Sequence, residues 1–262
     1  MKVAVIQTSS LPYEKAKINY YLSILRSKKV KLVVIGEYVL NLFFKELEKT
    51  PISFIKQQST HQIELFKKLS NRYNLTIIAP IVIVKKDKFY KVYVKFSPKS
   101  VRFYYQQLFM PYSHWNEKDF FDYKKNNPLV FKIDKFKVGI LPGFESHFDE
   151  FWLYFMKKNV DLVVVPSVGT FNSKKRWRKL LSTKAFMNNC YVLRANRVGR
   201  YEDWKFYGDS FLADPDGEIV ESLGNKEELL IVELNKNLVK EAKKEWGFVE
   251  LRKEHKLEEF IC

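Results

Sequence analysis

Glu37 stands directly behind a short apolar run, "LVVIGE", at residues 32–37. A carboxylate at the carboxyl end of a buried strand is well placed for general-base work, because ligands of open α/β folds gather at those strand ends. A second strand end, "GILPGFE" at residues 139–145, carries Gly143, Phe144 and Glu145 where a nucleophile would be useful. A third, "YYQQLFMP" at residues 104–111, leads into an aromatic segment holding His114, Trp115 and Glu117. His114 lies in the aromatic segment and His147 just after the third acidic residue, Glu145; their spacing does not form a metal-ligand pair, so no metal site is expected.

These residues need elements to hold them. Val3–Gln7 and Lys31–Ile35 read as strands, with an amphipathic stretch from Glu14 to Ser27 between them. Ile52–Tyr73 has helical apolar spacing, through Ile55, Ile63, Phe66 and Leu69. Leu75–Val84 and Phe89–Phe96 read as a hairpin around the polar "KKDK", and Val101–Gln107 as a further strand. Residues 108–128 form a long irregular loop of the sort that carries function. The second half repeats the theme. Lys137–Leu141, Val160–Pro166 and Cys190–Asn196 are strands, with helices near His147–Lys158 and over Arg176–Asn188. Tyr207–Leu212, Ile219–Ser222 and Leu229–Leu234 complete the strand set. Two sheets packed together with helices outside fit this many strands best.

The chain has 262 residues, 46% of them hydrophobic and 16% aromatic, ample for a large core. No run of about 18 uncharged apolar residues signals a membrane span. The first residues, "MKVAVIQ", read directly as a strand rather than a leader. The two cysteines, Cys190 and Cys262, make no disulfide framework, so a reducing cytoplasm is the expected compartment. The net charge of +16 invites a nucleic-acid reading. Yet apart from Lys174–Lys179 the lysines are interleaved with glutamates, and no nucleic-acid motif accompanies them, so no specific nucleic-acid partner is expected.

In order and spacing these fragments resemble the nitrilase, or carbon–nitrogen hydrolase, superfamily. "MKVAVIQ" and "LVVIGE" look like its opening strands. "VDLVVVPS" followed by "RWRKLLSTKAFMNNCYVLRANRVG" is similar to its stretch after the nucleophile, and "FYGDSFLADPDGEIVESLG" to its closing strands. The resemblance implies a four-layer αββα sandwich, here residues 1–244, with 245–262 as a C-terminal arm or tail. It implies a homodimer, in agreement with the aromatic stripe Phe148, Phe151, Trp152, Tyr154 and Phe155. It also implies a Glu-Lys-Cys triad in which a thiolate attacks an amide or nitrile carbon and the lysine stabilises the oxyanion. Glu37 matches the general base. The lysine position, four residues before Pro111, holds Gln107, and its neighbour Gln106 is not a lysine either. The nucleophile position holds Gly143, while Phe144 and Glu145 keep the aromatic and acidic positions that follow. Glu117 matches an additional pocket glutamate.

Hydrolysis by the family route is therefore expected to be lost, and whether the protein is an enzyme stays open. The leading expectation is a ligand-binding or regulatory pseudoenzyme without cofactor. Its small-molecule ligand would be an amine or amide held by Glu37 and Glu117, with His114, Phe144 and Glu145 lining the pocket and Gly143 leaving room at its floor. The alternatives are an amidase-type hydrolase in which Glu37 activates water, and a dimeric interaction protein. Ser146 and Ser167 lie near the nucleophile position without occupying it. Cys190 reads as a small core residue.

Overall fold

The computed structural model describes residues 1–11 and 14–255. The first half of the chain runs through β1 (Lys2–Gln7), α1 (Lys15–Ser27), β2 (Leu32–Ile35), α2 (Phe44–Leu47), α3 (Ile52–Tyr73), β3 (Thr76–Lys85), β4 (Lys88–Ser97) and β5 (Ser100–Tyr105). A small hairpin, β6 (Pro111–Tyr112) and β7 (Trp115–Asn116), interrupts the aromatic loop. The second half comprises β8 (Val130–Ile133), β9 (Phe136–Ile140), α4 (Asp149–Lys157), β10 (Leu162–Pro166), α5 (Lys174–Asn188) and β11 (Tyr191–Ala195). It continues with β12 (Val198–Tyr201), β13 (Trp204–Tyr207), β14 (Phe211–Ala213), β15 (Ile219–Ser222), β16 (Glu228–Glu233), α6 (Lys236–Trp246) and α7 (Phe248–Glu254).

Two six-stranded sheets form, with orders β16-β1-β2-β3-β4-β5 and β15-β14-β11-β10-β9-β8. In each, three central strands are parallel and the edges antiparallel. Side-chain alternation divides each strand between two cores. Val3, Val5, Leu32 and Val34 meet Val138, Ile140, Leu162 and Val164 between the sheets. Ala4, Ile6, Val33 and Ile35 face outward onto Ile18, Leu22, Leu25, Phe66 and Leu69 of α1 and α3. Val163, Val165 and Val192 face Trp152, Phe155, Leu181 and Ala185 of α4 and α5 on the other flank. Helix, sheet, sheet, helix is the expected αββα sandwich. Both faces of the inner strands are buried, which is why they read as continuous apolar runs. Gly139 serves this packing: a side-chain carbon there would lie 2.7 Å from the Phe155 ring.

The β3–β4 hairpin turns at Lys86 and Asp87, both left-handed (φ 49° and 58°), as a two-residue turn that matches strand twist requires. The expected strand 207–212 is instead broken. Gly208 and Asp209 both take positive φ (72° and 63°), so Tyr207 ends β13 and Phe211 opens β14. The charged stretch from Glu245 begins inside α6, whose Val239 and Ala242 are buried, and continues into α7. The rest of the expected tail, including Cys262, lies outside the described residues. No helix among the described residues is long and apolar enough to cross a membrane.

Candidate functional site

The carboxyl ends of β2, β9, β10 and β11 converge, bringing Glu37, Gly143, Ser167 and Asn196 together. The Glu37 amide donates to the Ser167 carbonyl at 3.1 Å. The chain then turns sharply at Tyr38, whose φ of 55° is left-handed. The approach is close enough that a side-chain carbon on Gly36 would lie 3.0 Å from the Asn196 backbone.

The feature that sequence reasoning missed is Lys91. On β4, Val92, Val94 and Phe96 face outward into the helix-covered core, so Lys91 and Tyr93 point into the layer between the sheets. There the Lys91 ammonium donates to Glu37 Oε2 at 2.6 Å and to Glu117 Oε1 at 3.0 Å. It also sits 4.6 Å from the Tyr38 ring centroid. The Tyr93 hydroxyl lies 2.5 Å from Glu37 Oε1, and the Tyr38 hydroxyl donates to Glu117 Oε1. Glu37, Lys91 and Glu117 are 1%, 2% and 0% exposed, so the trio is sealed from solvent. The ammonium that pairs with Glu37 thus comes from β4, while the family's lysine position after β5 holds Gln107. The sequence carried no usable signal for Lys91, because it alternates with Val92 and Val94 as on a strand wetted on one face.

Burial sets the electrostatics. It pushes the Glu37 carboxyl above its ordinary value despite the adjacent Lys91 charge, with Glu117 pushing in the same direction. Burial opposes the Lys91 charge too, but the two carboxylates outweigh it and hold the ammonium above its usual range. Both phenols, Tyr38 and Tyr93, are raised well above theirs, first by burial and then by the carboxylates they face. They are donors that stay protonated. Glu117 Oε2 has no hydrogen-bond partner.

The other expected residues divide. Gln106, rather than Gln107, reaches the cluster, its Oε1 3.1 Å from the Tyr93 hydroxyl. Gln107 turns away, donating to the Tyr104 hydroxyl at 3.0 Å and the Asn126 carbonyl at 2.8 Å. Glu145 is wholly buried and fastens the segment after β5. Its carboxylate accepts from the Tyr104 hydroxyl and the Gln107 amide, both at 2.6 Å, and from the Leu108 amide at 3.1 Å. Burial nevertheless pushes its pKa up to about 7.

Gly143 leaves no room at the floor of the site. A side-chain carbon there would lie 2.9 Å from Ser167 Cβ, 3.0 Å from Ser167 Cα and 3.2 Å from Glu37 Oε1. Its own amide donates to Glu37 Oε1 at 3.2 Å. The nearby hydroxyls are committed to carbonyls, Ser146 to Gly143 at 2.6 Å and Ser167 to Ala195 at 3.3 Å. Cys190 packs in the core beneath α4 and α5, and burial pushes its thiol up to about 12. Among the described residues, no three His, Cys, Asp or Glu side chains converge as metal ligands.

An open cavity of about 450 Å³ lies beside this cluster. Phe144, Trp115 and Val168 line it, each a near neighbour in sequence of Gly143, Glu117 or Ser167, yet none of Glu37, Lys91, Glu117 and Gly143 does. His114 and His147 line it as well. The His147 Nδ1 lies 3.0 Å from the Phe144 carbonyl, and burial holds the imidazole below its usual pKa, with Arg176 adding to the effect.

With sandwich and cluster placed, comparison with known proteins follows. A model of the carbon–nitrogen hydrolase family matches residues 2–244. The chain belongs to that family. It is 30% identical over 121 residues to a deaminated glutathione amidase of Synechocystis sp., a match covering 45% of this chain and 44% of the relative. The match therefore spans less than half of that relative's length. Omega-amidase NIT3 of Saccharomyces cerevisiae is 24% identical over 263 residues, covering 91% of this chain and 88% of the relative. The solved carbon–nitrogen hydrolase from Helicobacter pylori G27 superposes with a TM-score of 0.84 at 20% identity, covering 95% and 94% of the two chains. That likeness establishes the nitrilase-type sandwich.

Two outcomes follow from the cluster. Lys91→Met leaves two carboxylates buried without their cation and should cost about 3–5 kcal/mol in denaturant unfolding. Adding Glu37→Gln and Glu117→Gln should recover most of that loss. Glu145 carries a pH signature. Its pKa is about 7 folded against 4.5 for the ordinary group, so its contribution is complete below pH 4.5 and lost as pH rises through 7. Across that window wild type should lose up to about 3 kcal/mol relative to Glu145→Gln, read from unfolding midpoints at pH 5 and 8.

Proposed function

We propose that this member of the carbon–nitrogen hydrolase family binds a small molecule and does not turn it over by the covalent route. The observation that carries the reading is Gly143. It supplies no nucleophile, and Ser167 and Glu37 already occupy the space a side chain would need. A missing nucleophile costs on the order of a million-fold in turnover in the protease series that serves as reference. Amidase names among the relatives support an amide or acid as the ligand class. An amine held between Glu37 and Glu117 would have to displace Lys91, whose ammonium fills that position. Assembly as a homodimer belongs to the same proposal. The outer helices α4 and α5 leave Phe148 and Met187 exposed at 36% and 47%, apolar surface that a second copy would cover.

One observation favours a second reading, an amidase-type hydrolase in which Glu37 activates water. The Glu37–Lys91–Glu117 trio keeps a carboxylate, an ammonium and a second carboxylate in hydrogen-bonded contact. Against it stand the 1% exposure of Glu37 and the Lys91 and Tyr93 donors that occupy its oxygens.

Ammonia release from a panel of amides, N-carbamoyl amines and nitriles decides between the readings. Wild type should release none above buffer. Turnover that disappears in Glu37→Gln would establish the second reading instead. Gly143→Ala should lower unfolding stability by about 1–3 kcal/mol, because Ser167 must move to admit one carbon. Unchanged stability would mean that the space exists, and the close approach of Ser167 would no longer support the first reading.

A further inference from the structure

The open cavity beside the sealed trio has a chemistry of its own. One wall is a run of rings. Tyr112 and His114, which line it, stack at 5.7 Å with planes 8° apart, and Trp204, outside the lining, backs His114 at 6.2 Å and 20°. Phe171 stands at the edge, 5.1 Å from Trp204 and edge-on to His114 at 5.9 Å. Its side chain is 61% exposed and its φ is 53°. A bulky residue held left-handed is strained, and such strain persists only where surrounding structure enforces it. Here the strained residue presents an aromatic ring at the rim of a cavity.

The charge of the cavity is equally specific. No aspartate or glutamate is among its lining residues, and Arg176 is its one permanent cation. Lys174 and Arg178 of the basic run share one carboxylate, and Lys175 and Lys179 are exposed outside the cavity lining. Asp209 takes Lys174 at 3.2 Å and Arg178 at 2.5 Å, with the buried Arg194 at 3.5 Å. Arg176 has no ion-pair partner among the described residues. Its planar fork suits a carboxylate better than a lysine would. His147, an exposed residue, has its pKa lowered from the usual imidazole range and is no permanent charge.

We propose that this cavity binds an aromatic carboxylate, its ring against the Tyr112–His114 wall and its anionic end on Arg176. A volume of about 450 Å³ is within the ordinary range for small-molecule sites and admits an acid of one or two rings. The proposal rests on reading the protein as a binder. It reverses the sign of the ligand charge expected from Glu37 and Glu117, because those carboxylates are sealed away with Lys91 and the accessible charge is positive.

The test uses three probes of similar shape, phenylacetate, phenethylamine and phenylacetamide, titrated calorimetrically into the full chain. Phenylacetate should bind tightest and phenethylamine weakest. Arg176→Gln should weaken phenylacetate by about tenfold or more, the factor expected for a lost charge-assisted hydrogen bond, and change phenylacetamide by no more than about twofold. Phe171→Ala should weaken all three without changing their order. The proposal is overturned if phenethylamine binds as well as phenylacetate, if Arg176→Gln leaves phenylacetate unaffected, or if phenylacetate shows no saturable binding. Ammonia release from phenylacetamide, followed in the same solutions, reports separately on turnover. Its appearance would remove the binder reading and leave the charge preference to stand or fall on the titrations.

Discussion

A buried ammonium between two buried carboxylates is the constraint around which the site is organised. Each charge taken from water costs several kcal/mol unless partners replace the lost solvation. Lys91 meets that condition with two carboxylates and the face of Tyr38, and Glu37 meets it with Lys91, Tyr93 and the Gly143 amide. The partners come from β4, from the turns after β2 and β9, and from the aromatic loop. One electrostatic unit thus ties both sheets and the loop together. The trio carries a formal surplus of one negative charge, and the two raised phenols are the donors that accommodate it.

Around that unit the backbone approaches closely. Gly36 lies against Asn196 and Gly143 against Ser167, so the carboxyl ends of four parallel strands meet with no space for extra side chains. Glu145 closes the arrangement from the other side by fastening the segment that leaves β5. The Glu145 carboxyl is therefore a positioning group, since it touches backbone and Tyr104 and does not line the cavity. A fold whose strand ends usually form the floor of an open site here has that floor filled. What stays open is the space above it, walled by the aromatic loop and the start of α5.

Much of the sandwich was legible because its inner strands are buried on both faces. "VAVIQ", "LVVI" and "LVVVP" have no polar alternation, and α3 shows helical spacing over its full length, Ile52 to Tyr73. Glu37 was singled out by its place at a strand end and Glu117 by the family resemblance, and the structure brings both within reach of Lys91. Lys91 itself was not singled out. In "KFYKVYVKFS" the lysines alternate with Val92, Val94 and Phe96 as they would on a strand wetted on one face. Only the second sheet, built from residues some fifty positions later, turns that wet face into a core. Which of Gln106 and Gln107 faces the cluster was hidden for a related reason. A one-residue difference in register reverses which side chain faces inward, and counting back from Pro111 crosses the irregular segment between β5 and β6.

The divorce between the trio and the cavity gives the protein two electrostatic compartments of opposite character. Inside, a net negative cluster is neutralised as far as one ammonium and two phenols allow. Outside, Lys174 and Arg178 lean on Asp209, and Arg176 is the cation of the basic run that lines the cavity with its aromatic wall. Because solvent reaches only the second compartment, a diffusing ligand meets its arginine and never the carboxylates. The charge a ligand must carry is then set by accessibility rather than by the count of acidic residues near the site. On the proposed reading, the chain keeps Glu37, Lys91 and Glu117 as a buried cluster while recognition lies at the open cavity. Their charges, satisfied by one another in a dry layer, have become part of the core.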